Sequence, residues 1–252
     1  MPSRPAAVTR DQAIALEVAA WDRVAPRRAV DFDENRDPSY RFVLQPAILH
    51  LLGPNPNFVL DAGCGVGRLT YEISKRSTRV VGIDPSRVSA NLARDHLRSR
   101  KNVTIFDLSI EQYAELEHEK HDYCAALMVM QDVVDLGGFL RSARRVLGPR
   151  GQFVAAITNP QFWPKYWGYD SEPWFKQERE IFIRSEFRTS LSSSGISTLH
   201  VHRPKEMYLS ALADAGFKDV ETWEPMMPPT IQRRSGVNWE YPHFWVIRGK
   251  VQ

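Results

Sequence analysis

The stretch Val59-Leu-Asp-Ala-Gly-Cys-Gly-Val-Gly-Arg-Leu69 decides the fold of this 252-residue chain. An apolar run meets an acidic residue, then three alternating glycines, then a helical pattern with Val66, Leu69 and Ile73 on one face. This order predicts a strand, a tight turn and a helix. Glycine is needed where the backbone turns sharply close to a ligand, because a Cβ would clash there. The spacing differs from the Gly-x-Gly-x-x-Gly of dinucleotide-binding dehydrogenases, and Asp61 favours a ligand that is cationic at that end.

The second apolar run, Arg79–Ile83, is followed directly by Asp84. A carboxylate at the carboxyl end of a second strand is well placed to accept hydrogen bonds from both hydroxyls of a ribose. Asp84 is also a candidate N-cap, but Ser86 suits that position better because it stands ahead of the apolar stripe that includes Val88 and Leu92. We therefore expect Asp84 to contact a ribose.

Two more apolar runs end in polar residues in the same way. Residues 102–106 are followed by Asp107, where a carboxylate and the adjacent backbone can contact the edge of an adenine. Ser109 and Gln112 also form a capping-box pattern, so a purely capping role for this region stays open. A fourth run covers residues 121–130. Because ligands of open parallel sheets bind outside the carboxyl ends of the strands, the sequence predicts a ligand site along this edge.

These motifs together resemble those of the class I S-adenosylmethionine-dependent methyltransferases. The resemblance is strongest over residues 57–154, and residues 209–223 are similar to the family's last helix and sixth strand. It implies an α/β fold, a doubly wound, mostly parallel seven-stranded sheet of the Rossmann-like type, with N-terminal helices and a lid inserted after the fifth strand. The expected units are an N-terminal helical cap (1–45), a cofactor-binding core (46–158), an aromatic-rich substrate lid (159–203) and a C-terminal part of the core sheet (204–252).

The resemblance also implies S-adenosyl-L-methionine as the cofactor. The glycine turn would contact its methionine moiety, Asp84 its ribose, and Asp107 its adenine. Tyr40 and Arg41 are expected near its carboxylate, with a solvated helix position as the equal alternative for Arg41. The full set of predicted cofactor-binding residues is Tyr40, Arg41, Asp61, Ala62, Gly63, Gly65, Gly67, Asp84, Pro85, Asp107, Leu108 and Met128.

The composition changes after residue 158. Seven aromatic side chains fall between Phe162 and Phe175, separated by prolines, and two short strands are expected at residues 181–187 and 197–202. The segment resembles the substrate lid of many small-molecule methyltransferases, although an aromatic layer that only packs on the sheet remains the alternative. The prediction is an acceptor pocket for a small, partly apolar or aromatic molecule, walled by Trp163, Tyr166, Trp167 and Tyr169.

Methyl transfer needs no protein nucleophile, because the sulfonium is already activated and the displacement is direct. A hydroxyl acceptor needs a general base, for which His202 is the first candidate and Asp135 and His200 are weaker ones. Gln131 and Asp132 are also candidate catalytic residues; many family members have His-His there, so a catalytic histidine at that position is not predicted. His200-x-His202 lacks a third ligand at metal-binding spacing, so no metal is predicted.

Charge and hydropathy bear on the partners. The net charge of +3 is mild, and the basic clusters fall on predicted helices, which favours solvated helix faces over nucleic-acid binding. No run approaches 18 apolar residues and no secretion signal is evident, so a cytoplasmic protein without a membrane span is expected. A homodimer is left open. The rival functions are a methyltransferase acting on a protein or nucleic acid and a non-catalytic cofactor-binding partner subunit.

Overall fold

The computed structural model describes residues 4–116, 119–189 and 191–251. The N-terminal part begins with a short strand and continues through two helices, a π-helical turn at Tyr40–Leu44 and a third helix. The second helix continues to Asp33 with Pro26 inside it. The bounds are β1 Ala6–Ala7, α1 Arg10–Glu17, α2 Ala19–Asp33 and α3 Gln45–Leu52.

Strands and helices then alternate as the motifs predict. The bounds are β2 Phe58–Ala62, α4 Arg68–Ser74, β3 Arg79–Ile83, α5 Arg87–Leu97, β4 Val103–Phe106, α6 Ile110–Leu116, β5 His121–Leu127, α7 Leu136–Val146 and β6 Leu147–Thr158. The remaining elements are α8 Trp163–Trp167, β7 Ile181–Arg188, β8 Ser193–His202, α9 Lys205–Asp214, β9 Lys218–Trp223, α10 Pro229–Ser235 and β10 Phe244–Lys250.

The main sheet has seven strands in the order β4-β3-β2-β5-β6-β10-β9. Strand β2 lies inside the sheet, parallel to its neighbours β3 and β5, while β10 runs antiparallel to both β6 and β9. The carboxyl ends of β2, β3, β4, β5 and β6 therefore meet at one edge, which we call the carboxyl rim. This is the predicted doubly wound, mostly parallel, Rossmann-like fold.

Both faces of this sheet are covered. Leu60 of β2 packs in the apolar layer that contains α6, α7 and α9, whereas its neighbour Val59 packs in the layer that contains α3 and α8. Such burial on both faces explains why the strands are nearly continuous apolar runs. The functional groups are consequently confined to the strand ends.

A second, three-stranded sheet combines β1 of the N-terminal part with β7 and β8 of the inserted segment, in the order β1-β7-β8. Strands β7 and β8 pair antiparallel, with Ile183 opposite His200, which confirms the two strands expected there. Helices α1 and α2 pack against β8. Residues on α1, α2, β7 and β8 line one cavity over the carboxyl rim, so the N-terminal helices and the inserted segment together cover the strand ends.

Candidate active site

The turn after β2 requires its glycines. Gly63, Gly65 and Gly67 have φ values of 73°, 53° and 82°, a region that residues with a Cβ rarely adopt. A Cβ on Gly63 would stand 2.4 Å from Cγ2 of Val129, and one on Gly67 would stand 2.9 Å from Cδ1 of Leu97. Gly65 has open space beside it, so the backbone there is free to approach a ligand.

Asp84 holds this turn in place. Its Oδ2 accepts a hydrogen bond from the backbone N–H of Gly65 at 2.8 Å, and its Oδ1 accepts one from the N–H of Ser86 at 2.9 Å. Ser86 is the N-cap of α5, as expected, and accepts from the N–H of Ser89 at 3.1 Å. Burial raises the pKa of Asp84 to about 6, while the two backbone donors oppose that shift.

Asp61 is a fully buried carboxyl group beside the turn. Its Oδ2 accepts a hydrogen bond from the hydroxyl of Thr70 at 2.6 Å. Burial raises its pKa to about 7, because the Thr70 bond only partly offsets the cost of an enclosed charge. The hydroxyl of Tyr40 is enclosed without a hydrogen-bond partner in the described chain. This corner therefore suits a ligand with a cationic group for Asp61 and polar atoms for Tyr40.

One cavity of about 630 Å³ opens over the carboxyl rim. Residues at the ends of β2, β3, β5 and β6 form its floor, and α1 and α2 contribute to its walls. The predicted cofactor residues that line it are Tyr40, Asp61, Gly63, Gly65, Asp84, Pro85, Leu108 and Met128. The lining also contains the aromatic side chains Trp163, Tyr166 and Trp167, together with Gln131, Asp132, Thr158, His200 and His243. The cavity thus contains both residues predicted to bind the cofactor and residues predicted to bind the acceptor.

Arg41 does not line this cavity. Its side chain is exposed and its Nη1 donates to Oδ1 of Asn35 at 2.7 Å, so the solvated alternative describes its position. Arg28 of α2 lines the cavity instead, pairs with Asp37 at 2.8 Å, and has an Nη1 without a partner in the described chain. Arg28 was not among the residues predicted from the sequence to bind the cofactor.

Asp107 also departs from its prediction. Its carboxylate is exposed and accepts a hydrogen bond from Arg94 at 2.8 Å, which lowers its pKa, and the residue does not line the cavity. Its neighbour Leu108 does line it. Ala62 and Gly67 shape the turn without reaching the cavity wall. The capping box of α6 is present, with Gln112 N–H donating to Ser109 Oγ at 3.3 Å.

The aromatic cover is partly as predicted. Trp163, Tyr166 and Trp167 lie on α8, within one and a half turns, and all three line the cavity. Tyr169 is fully buried behind this wall, where its hydroxyl lies 3.3 Å from Nε2 of His200. Tyr169 therefore supports His200 and is not a wall of the pocket, which corrects that part of the prediction.

His202 is not placed to act as a base. It does not line the cavity, and its Nε2 lies 3.0 Å from the carbonyl oxygen of Gln177, with its ring packed against Phe175 at 4.8 Å. His200 and His202 are two residues apart on β8 and therefore share one face of the strand, but His202 lies further along it, opposite Ile181 and outside the cavity lining, whereas His200 lines the cavity. The sequence pattern alone left open which histidine of the pair lined the cavity.

Gln131 and Asp132 both line the cavity at the end of β5. The amide nitrogen of Gln131 donates to Oδ2 of Asp132 at 2.9 Å, while its Oε1 is enclosed without a partner in the described chain. Burial raises the pKa of Asp132 well above that of an exposed carboxyl. The pair therefore places an amide oxygen that can accept a hydrogen bond, and a carboxyl group, at the edge of the cavity. Burial favours the protonated form of that carboxyl group.

Arg203 fixes the segment that carries this pair. Its guanidinium is fully buried and donates to the carbonyl oxygens of Met130, Val133 and Val134 at 3.2, 2.8 and 3.1 Å. It also forms an ion pair with Glu180. Arg203 does not line the cavity. It fixes the backbone segment that follows β5, and we call this set of hydrogen bonds the Arg203 clamp.

His243 is a cavity-lining residue that sequence reasoning missed. It directly precedes β10, and its ring stacks on Trp239 with centroids 4.2 Å apart and contacts Tyr166 at 4.1 Å. Burial lowers its pKa to about 4. The available signal was its position at the amino end of an antiparallel strand beside β6, which places it at the carboxyl rim.

Within the residues that the structure describes, no group of three His, Cys, Asp or Glu side chains has an arrangement that could hold a metal ion. Over the same residues, no helix combines the length and apolar character needed to cross a membrane.

Comparisons with known proteins show what the domain and the fold are similar to. Residues 60–155 match the family model of a methyltransferase domain. A ubiquinone biosynthesis O-methyltransferase of Bradyrhizobium diazoefficiens is 34% identical over 102 residues, which make up 40% of this chain and 40% of that relative. A putative S-adenosylmethionine-dependent methyltransferase structure from Listeria monocytogenes has a TM-score of 0.67 at 20% identity, covering 85% of this chain and 99% of that one. The DhpI–SAM–HEP complex has a TM-score of 0.64 at 19% identity, covering 94% and 96%.

Residues 60–155 thus match a methyltransferase domain, and the seven-stranded fold is shared with solved methyltransferase structures. The predicted fold class is thereby confirmed, and the domain match supports the predicted family and cofactor. The site fits S-adenosyl-L-methionine: the open space beside Gly65 lets the backbone approach a ligand, Asp61 would offer a carboxyl group to its ammonium, and Arg28 and Tyr40 would offer donors to its carboxylate.

Proposed function

We propose that this protein transfers the methyl group of S-adenosyl-L-methionine to an oxygen or nitrogen of a small, partly apolar or aromatic molecule. The observation that carries the proposal is the single cavity that runs from the glycine turn to the aromatic wall on α8. Its volume of about 630 Å³ is in the range of pockets that enclose small-molecule ligands. One end has cofactor-binding chemistry, and the other has a wall suited to an apolar acceptor.

The chain's own contribution to such a reaction is positioning. The bound cofactor supplies a methyl group that is already activated by its positive sulfur, so no covalent intermediate on the protein is needed. The acceptor atom has to lie in line with the methyl carbon, with water excluded. The cap helices and α8 close over the carboxyl rim and can meet both requirements. Aromatic rings on that wall also favour the cationic sulfonium.

The residues at the end of β5 orient the acceptor in this proposal. Gln131 presents an enclosed oxygen without a partner in the described chain, and Asp132 presents a carboxyl group beside it. A hydroxyl or amine of the acceptor can donate to these oxygens and so satisfy them. An unsatisfied buried acceptor costs about 1–3 kcal/mol, which the bound acceptor would recover.

The test is turnover with simple probes. Purified protein is incubated with S-adenosyl-L-methionine and a panel of phenols, catechols and aromatic amines, and S-adenosylhomocysteine and methylated product are measured by mass spectrometry. We expect product with at least one aromatic acceptor. Trp163→Ala should lose most of this turnover, and Trp223→Ala should retain it, because Trp223 is an exposed tryptophan on β9.

Two outcomes would contradict the proposal. Methylation of RNA, DNA or protein with no turnover of any small probe would favour a macromolecular substrate. Tight cofactor binding with no turnover of either class would favour a non-catalytic partner subunit. Light scattering on the same preparation tests whether the protein is a homodimer, which the sequence leaves open. Fractionation of cells tests the cytoplasmic location that the sequence predicts.

A further inference from the structure

The ring of His243 is held rigidly at the cavity wall. Trp239 stacks on it with an interplanar angle of 23°, and Tyr166 contacts it with ring centroids 4.1 Å apart. The backbone is tied as well, because its carbonyl oxygen accepts from the N–H of Asn159 at 2.8 Å. The adjacent residue, Phe244, pairs with Thr158 across β10 and β6. His243 therefore stands beside the end of β6, on the acceptor side of the cavity.

The nitrogens of this ring are open to a ligand. Neither is hydrogen-bonded within residues 4–116, 119–189 and 191–251, and neither belongs to the fully enclosed side-chain atoms that lack partners. His200, the other histidine on the cavity wall, differs in this respect, because its Nε2 lies 3.3 Å from the hydroxyl of Tyr169. A polar ring that is held in place but left unbonded inside an aromatic wall calls for a partner from the ligand.

We propose that His243 is the general base that takes the proton of a hydroxyl acceptor. This inference rests on the proposed methyl transfer and specifies its oxygen branch. In the step, the acceptor oxygen forms a bond to the methyl carbon as the carbon–sulfur bond breaks and leaves its electron pair on sulfur. The hydroxyl proton passes to a ring nitrogen of His243 and from there to solvent. The acceptor class is a phenol or catechol whose ring stacks among Trp163, Tyr166 and Trp167.

The environment keeps the imidazole in its accepting form. Its ring neighbours are Trp163 and Tyr166 on α8, Trp239 and Tyr241 in the preceding loop, and Phe244 on β10. Of these only the two tyrosines titrate, and burial alone accounts for the lowered pKa of His243. A weak base is sufficient, because the hydroxyl proton becomes far more acidic as the oxygen bonds to carbon.

The variant His243→Gln keeps a hydrogen-bonding side chain but cannot accept the proton, and His50→Gln on the exposed face of α3 is the matched control. With a phenol that is un-ionised at neutral pH, we expect kcat/KM of His243→Gln to fall about 100-fold. With a nitrophenol that is already ionised at that pH, the loss should shrink to within about threefold, because no proton remains to be moved. Calorimetry should show cofactor affinity unchanged in both variants, a readout that does not depend on turnover.

Equal losses with both acceptors would overturn the inference, since they would indicate a packing role. Full activity of His243→Gln on the un-ionised phenol would overturn it as well, and so would turnover of amines alone by the wild type. If His243→Gln loses cofactor binding, the pH dependence of the wild-type protein, measured at saturating cofactor, tests the inference instead. Its kcat/KM for the un-ionised phenol should stay level between about pH 6 and pH 8, whereas a tenfold rise per pH unit would show that ionised acceptor is the reacting species. Wild-type protein that turns over no acceptor at all refutes the proposed function itself.

Discussion

Asp84 connects the second strand of the sheet to the glycine turn of the first. Its two oxygens each accept one backbone N–H, from Gly65 and Ser86, so the carboxylate shapes the turn and still faces the cavity. Replacing Asp84 should therefore lower cofactor affinity in two ways. The proposed hydrogen bonds to the ribose would be lost, and the backbone N–H groups of Gly65 and Ser86 would lose their acceptor.

Replacing Asp84 by Ala should therefore weaken cofactor binding. Two ribose hydroxyls left without partners cost on the order of 2–3 kcal/mol, or roughly 30- to 150-fold in Kd. Titration calorimetry with S-adenosyl-L-methionine measures this directly. Asp107→Ala is the comparison, because its carboxylate is exposed and paired with Arg94, and it should bind the cofactor with near wild-type affinity. Wild-type affinity in Asp84→Ala would mean that the ribose lies elsewhere.

Asp61 predicts a pH dependence of cofactor binding. Burial raises its pKa to about 7 in the cofactor-free protein, so the folded state favours the protonated form, and its contribution to stability is lost as pH rises through about 7. A cationic ammonium binds the ionised form. Cofactor affinity should accordingly rise about tenfold between about pH 6 and pH 8, as the ionised fraction rises.

Calorimetry across this pH range tests the claim, with proton release on binding as the second observable. Asp61→Asn should bind more weakly and should remove most of the pH dependence. Affinity that is level between pH 6 and pH 8 in the wild type would show that Asp61 does not carry the ammonium contact.

One buried side chain, that of Arg203, makes three hydrogen bonds to the segment between β5 and α7. Arg203, at the junction of β8 and α9, donates to three carbonyl oxygens of residues 130–134 from a buried position. Removing such a group leaves those oxygens and the carboxylate of Glu180 without their partner. Arg203→Ala should therefore lower the free energy of unfolding by about 3–5 kcal/mol.

Urea or thermal unfolding followed by circular dichroism provides the measurement. Arg184→Ala, on the exposed side of β7, should change the free energy of unfolding by less than about 0.5 kcal/mol. Arg203→Lys keeps the charge but cannot span three carbonyl oxygens with one planar group, so it should fall between the two. A loss below about 1 kcal/mol in Arg203→Ala would contradict the clamp.

Substitutions on helix α8 should lower turnover of the acceptor without changing cofactor affinity. Tyr166 is half-buried on the cavity wall, next to His243 and Trp163. Tyr166→Ala removes an aromatic contact worth about 1.5 kcal/mol, so kcat/KM for an aromatic acceptor should fall roughly tenfold. Cofactor affinity should stay within about twofold. Tyr166→Phe keeps the ring and should retain most activity; equal loss in both variants would point to the hydroxyl and not to the wall.

The elements themselves followed from the sequence where the pattern was regular. Apolar runs, glycines and caps at Ser86 and Ser109 predicted the strands and helices of the core, because both faces of the sheet are buried and the periodicity is strong. Long-range placement did not follow. Which of His200 and His202, on the same face of β8, lines the cavity depends on which part of β8 reaches it, and the position of Asp107 depends on Arg94 one helix away.

At the scale of the whole molecule, two parts of the chain meet at one edge of the main sheet. The core supplies the carboxyl rim, and α1, α2 and the inserted segment cover that rim. Residues such as Arg28 and His243 enter the site only because distant parts of the chain meet there. Local motifs identify the family and the cofactor half of the site; the acceptor half is created by packing between elements far apart in sequence.

A crystal structure with S-adenosylhomocysteine and a phenolic acceptor tests the central claim, that one cavity holds both molecules over the carboxyl rim. We expect the ribose on Asp84, the amino acid moiety between Asp61 and Arg28, and the acceptor ring against Tyr166, with its hydroxyl in line with the cofactor sulfur. A cofactor bound away from Gly63 and Gly65, or an acceptor bound outside the wall of α8, would contradict the account.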